Sequence, residues 1–152
     1  MQRKFRLLRE EAYQDGRESF SSLAADDPTF RDFVCMYIGE GYKRRRGTVS
    51  LANSDAAVVR LAARWIRRFA SNPIWYRVQY HADQNLRELQ EYWGAQLGVP
   101  PDDIRLQRKS NSSGLATRRR RSQFGVLTVG TNDTLLRSRL QAWIDLVKDS
   151  WV

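Results

Sequence analysis

Glu40 closes a short apolar run, Phe33-Val34-Cys35-Met36-Tyr37-Ile38-Gly39, and is followed by Gly41 and then by Lys43-Arg44-Arg45-Arg46. A carboxylate beside a cationic loop is an arrangement for chemistry on phosphates, because the cations draw the anion to the place where the acid sits. Phe33, Met36 and Tyr37 fall at i, i+3 and i+4, so the run reads as a packed helix that carries the acid at its C-terminal foot. The bland alternative is an exposed glutamate paired with the neighbouring arginines.

Three further groups of residues suit a polyanion. In Ile74 to Tyr80 aromatic and β-branched residues dominate, with Trp75, Arg77 and Gln79 on one face and Tyr76, Val78 and Tyr80 on the other, as in a half-buried strand. The polar face of that strand offers Arg77 and Gln79 for base contacts, with Asn53 and His81 at strand ends as further candidates. His81 lies beside Asp83, where a hydrogen-bonded surface role competes. Residues 107–122 hold Arg108, Lys109, Asn111 and the run Arg118-Arg119-Arg120-Arg121 among Ser, Asn and Gly. Such a segment has too little apolar surface to order itself and reads as a mobile loop or long hairpin that orders on a polyanion. The single histidine and the single cysteine, Cys35, are too few for a zinc site, and neither a phosphate-binding glycine loop nor a Ser-His-Asp order is visible.

The elements that would position these groups follow from periodicity and punctuation. Residues 3–24 read as a polar helix with a thin apolar stripe, Asp26-Asp27-Pro28 as a stop and restart, and Pro28 to Gly39 as the packed helix. Strands are expected at 48–52, 74–80 and 124–129, with a weak one near 102–106. Helices are expected over 55–70 behind the Asn53-Ser54-Asp55 cap, from Asp83 to the Gly98 stop, and from the Asn132-Asp133-Thr134 cap onward with Leu136, Leu140, Trp143, Val147 and Trp151 as its stripe. Strands separated by helices of this length give an α+β fold with helices on one face of a mainly antiparallel or mixed sheet.

Composition bounds the partner. A chain of 152 residues suits one core that buries roughly two thirds of the unfolded surface. With 26 Lys and Arg against 17 Asp and Glu, the formal charge of +9 points to nucleic acid. No run of 18 apolar residues is present and the basic residues cluster in loops, which argues against a membrane partner. Arg9, Glu10 and Glu11 interrupt the basic start before an apolar stretch forms, so no signal peptide is read and a cytoplasmic location is expected; a lone apolar cysteine agrees with a reducing compartment.

Phe33 to Gly41 resembles the nine-residue LAGLIDADG motif of homing endonucleases, and Val49 to Ile66 is similar to the strand, Asn-Ser-Asp cap and second helix of that domain. Tyr92-Trp93, residues 97–101 and residues 141–145 are similar to features of the compact single-motif members, so the likeness covers about residues 30–148. It implies an αββαββα domain over 28–152 behind an N-terminal helical extension, 1–27. It further implies motif helices that meet at a two-fold axis, with Phe33, Met36 and Tyr37 at the dimer interface. In that family the acid at the motif's end holds a divalent metal between scissile phosphates; Glu40 takes that position and Gly41 that of the closing glycine, and Mg²⁺ suits a hard carboxylate beside a phosphate. Val34 and Cys35 replace the motif's small residues, and the hairpin after the motif is reduced to a 43–47 turn. The expected function is duplex DNA binding as a homodimer, with Mg²⁺-dependent endonuclease activity and RNA binding as the rivals.

Overall fold

The computed structural model describes residues 1–109 and 122–152. The chain runs through helices α1 (Gln2–Asp26) and α2 (Pro28–Glu40), strand β1 (Thr48–Asn53), α3 (Ala56–Phe69), β2 (Ile74–Tyr80), α4 (Leu86–Leu97), a single 3₁₀ turn (Pro101–Asp103), β3 (Ile104–Arg108), β4 (Val126–Asn132) and α5 (Thr134–Asp149). Short oxygen-bearing side chains set the helix starts. Asp27 accepts from the Thr29 backbone N–H at 2.9 Å and from its hydroxyl at 2.7 Å, with Pro28 behind it supplying no competing donor. Those two bonds, helped by the nearby Arg64 charge, hold the Asp27 carboxyl below its usual range. Asp55, Asn85 and Asp133 cap α3, α4 and α5 in the same way, so α4 starts at Asn85 rather than at Asp83. Gly98, at a φ of 68°, ends α4 in the left-handed conformation that favours glycine.

The four strands form one sheet in the order β1-β4-β2-β3. β4 pairs antiparallel with both β1 and β2, while β3 lies parallel to β2, reached through the α4 crossover. The fold is α+β and the sheet mainly antiparallel, as expected. The element order is not αββαββα. After α2 the first strand of the expected hairpin shrinks to Gly41 and Tyr42: Gly41 forms an antiparallel bridge with Leu51, and the Tyr42 N–H donates to Ser50 O at 2.9 Å. With that residue pair counted as a strand, β2 and α4 are one additional strand–helix unit, because the Asn85 cap and the Leu89–Trp93–Leu97 stripe build a helix of their own.

Alternation puts Val49, Leu51, Tyr76, Val78, Ile104, Leu127 and Val129 into the core with the helices. At its centre Phe30 meets Phe20, Trp65, Phe69 and Trp143 with ring centroids 5.7, 5.4, 6.1 and 5.0 Å away, tying α1, α2, α3 and α5 together. Trp65, Trp93 and Trp143 are fully buried and each indole N–H has a partner: Thr29 Oγ1 at 3.2 Å, Phe124 O at 2.7 Å and Gly16 O at 2.9 Å. The last of these docks α1 on α5. Gly16 is required there, since a Cβ would lie 2.7 Å from Arg139 O and 3.0 Å from the Ala142 side chain. Trp151 leaves the expected α5 stripe: the helix stops at Asp149 and the indole is 59 % exposed. Among the described residues no helix is long and apolar enough to cross a membrane.

Candidate nucleic-acid interface

The face of the sheet opposite the core is built from the alternate residues of the same strands. On β2 these are Trp75, Arg77 and Gln79, all half-buried. Register places Arg105 and Gln107 of β3 beside Arg77 and Gln79, and Gly130 and Thr128 of β4 beside Trp75 and Arg77. Gly130 makes room for the indole: a Cβ there would meet Trp75 at 2.5 Å. The Arg77 guanidinium lies 5.2 Å over the Trp75 ring, and its Nε is buried with no hydrogen-bond partner among the described residues. Trp75, Arg77, Arg105 and Asn132 line a cleft of about 250 Å³ that no carboxylate of the described residues lines. Two like charges side by side in a strand register repel each other, and an anion bridging them removes the repulsion. The surface thus offers guanidinium forks, amides and one ring face. Arg105 and Gln107 are absent from the contacts expected from the sequence, although the alternation of Ile104 and Leu106 with Arg105 and Gln107 carries that signal.

At the sheet's β1 margin sits the end of α2. Glu40 is exposed, with Gly41 packed so closely on the Tyr37 ring that a Cβ would overlap it. Lys43 folds back and donates from Nζ to the carbonyls of Gly41 at 2.8 Å and Ile38 at 2.9 Å, closing the helix C-terminus. That use is structural, so Lys43 is a capping residue before it is a phosphate contact. Arg44, Arg45 and Arg46 stay exposed. Among the described residues no cluster of three or more His, Cys, Asp or Glu is placed to hold a metal, so an ion at Glu40 would take its remaining ligands from water and phosphate.

Phe33 and Tyr37 are both buried in this chain's own core, and α2 as a whole packs against α1, α3, α5 and β1. Met36, with Cys35 half-buried beside it and Asp32 and Gly39 exposed, marks the side of α2 that those helices leave open. His81 is 9 % exposed just past the end of β2, and its backbone N–H donates to Gln84 Oε1 at 2.8 Å. Asn53 accepts the Asp55 N–H at 2.8 Å and so shapes the turn into α3. Arg108 and Lys109 are exposed at the end of the β3 edge. Asn111 and Arg118 to Arg121 lie outside the described residues. On α3, Arg60 donates to Gln96, Arg64 pairs with Asp27, and Arg67 donates to the Tyr76 hydroxyl and Leu97 O, so its basic face is largely engaged in packing.

Comparison of the chain with known protein families, with curated protein sequences and with solved structures finds no match.

Proposed function

We propose that this chain binds duplex DNA as a homodimer, through the open face of its sheet and the basic segments along its margins, in the manner of a LAGLIDADG-like protein. The observation that carries the reading is the pairing of Arg77 with Arg105 in the cleft lined by Trp75 and Asn132, with one guanidinium N–H unused and no acid in the lining among the described residues. A β-surface of this kind fits the major groove, where Arg and Gln read base edges. The half-open side of α2 with Met36, Cys35 and Gly39 is the surface on which two motif helices would meet.

A second reading makes the protein a Mg²⁺-dependent endonuclease. It is favoured by Glu40, exposed at the end of α2 and followed by Gly41, which bridges to Leu51 beside the β1 edge of the sheet. One chain contributes one such carboxylate, so cleavage of both strands would need Glu40 from each subunit, with the metal lowering the pKa of a bound water and stabilising the leaving oxygen. Binding of RNA is the other outcome to be separated, because an aromatic ring on an open four-stranded sheet also suits the stacking of unpaired bases.

Selection of bound sequences from mixed random duplex and RNA pools tests the first reading. Enriched duplexes with a palindrome are expected, and Arg77→Ala should then weaken the selected site by about 1–3 kcal/mol. Enrichment of RNA alone, or of neither pool, would overturn it. On the selected site, nicking of supercoiled DNA with Mg²⁺ by the wild type and not by Glu40→Gln is the result the endonuclease reading requires.

A further inference from the structure

Arg137, one turn into α5, is only 6 % exposed, and its Nε has no hydrogen-bond partner among the described residues. Its Nη1 donates to Gln141 Oε1 at 3.1 Å, and no ion pair among the described residues involves it. Asp145, further along the helix, is already engaged, accepting from Gln141 Nε2 at 2.9 Å and from the Tyr13 hydroxyl at 2.7 Å. A buried guanidinium with an unused N–H carries a desolvation cost that the single side-chain bond to Gln141 offsets only in part.

The same residue lines a cleft of about 420 Å³ between α1, the 43–46 loop and α5. Arg6, Arg9, Lys43, Arg44 and Arg46 line it as well, so that among the described residues five guanidiniums and one ammonium share the cleft with a single carboxylate, Glu10, which lies 3.6 Å from Arg6. The volume is that of a small-ligand pocket rather than of a groove for duplex. Guanidinium forks match phosphate oxygens two at a time, and an excess of five positive charges among the lining residues favours an ion bearing two or more negative charges over a singly charged diester.

We infer that this cleft is a binding site for a phosphate monoester or diphosphate group, either on a small molecule or at the end of a nucleic-acid strand. Arg137 grips it from the floor, and Arg9 and Arg46 close over it from α1 and the loop. The site shares no lining residue with the Trp75 cleft and does not depend on what the sheet face binds.

The test is calorimetric titration of inorganic pyrophosphate into the full chain at fixed ionic strength. Saturable 1:1 binding is expected, weakened about 10- to 100-fold in Arg137→Gln, which removes charge-assisted hydrogen bonds. Because a buried substitution can disturb folding, the double variant Arg9→Ala/Arg46→Ala, at a half-buried and an exposed position outside the core, should weaken binding at least as much with the circular dichroism unchanged. Arg60→Ala, an arginine on α3 outside the cleft, controls for net charge. Absence of saturable binding, an undiminished affinity in the double variant, or an equal loss in Arg60→Ala would overturn the inference. A short oligonucleotide bound more tightly with a 5′-phosphate than with a 5′-hydroxyl assigns the group to a strand end; equal affinities assign it to a free ligand.

Discussion

Tyr37 illustrates how much one hydroxyl does at the junction between α2 and β1. It donates to Tyr42 O at 2.6 Å and accepts from the Ser50 N–H at 3.2 Å, so it replaces two partners that the shortened hairpin no longer supplies. Tyr37→Phe keeps the ring and leaves both backbone groups unpaired, for an expected loss of about 1–3 kcal/mol in chemical denaturation. Burial raises the Tyr37 pKa, against the smaller opposing pulls of the Ser50 N–H and the Arg137 charge. A raised folded-state value means that the native protein holds this proton more tightly than the unfolded chain. The contribution is therefore complete below the usual tyrosine value of about 10 and is lost as pH climbs through and beyond it. Stability measured against pH should fall on the alkaline side in the wild type and fall less steeply in Tyr37→Phe. The i, i+3, i+4 spacing marks Phe33, Met36 and Tyr37 as one helix face, and for Phe33 and Tyr37 that face is packed. Spacing does not say whether such a face meets a partner or the chain's own core, since both present the same periodicity.

Elements are legible where the local signal is strong. Caps at Asp27, Asp55 and Asp133 and the glycine stop at Gly98 mark their helices to within a residue or two, because the bonds involved are between near neighbours in sequence. The docking of α1 on α5 is not legible. It rests on Gly16 meeting Arg139 and on Trp143 donating to Gly16 O, contacts more than a hundred residues apart that leave no periodic trace. Only Ala12 and Gly16 of α1 are buried, so the helix is held along a narrow line. Gly16→Leu should force the helices apart at a cost of about 1–3 kcal/mol, with cleavage within α1 faster than in the wild type in limited proteolysis. The same long separation hides Arg137 and the α1 arginines as a group: each stands on its helix as an ordinary polar position, and only the packing of α1 beside the 43–46 loop brings them together.

For the molecule as a whole, the charge of +9 is plain from composition, and it predicts strongly salt-dependent binding to any nucleic acid. Replacing Arg118 to Arg121 with Ala should flatten the slope of log K against log salt by about 0.9 for every phosphate no longer neutralised, and an unchanged slope would remove those arginines from the interface. The strand order is hidden for a topological reason: β3 and β4 are consecutive in the chain, yet they flank β2 on opposite sides. β4 is thus the last strand in sequence and an interior strand in space. A nascent polypeptide leaving the ribosome carries β1 and β2 with no partner between them until Val126 to Asn132 has emerged, and both strands wait with bare edges. The final quarter of the chain therefore acts as the keystone of assembly, and a product truncated before it would expose two aggregation-prone edges rather than a smaller native protein.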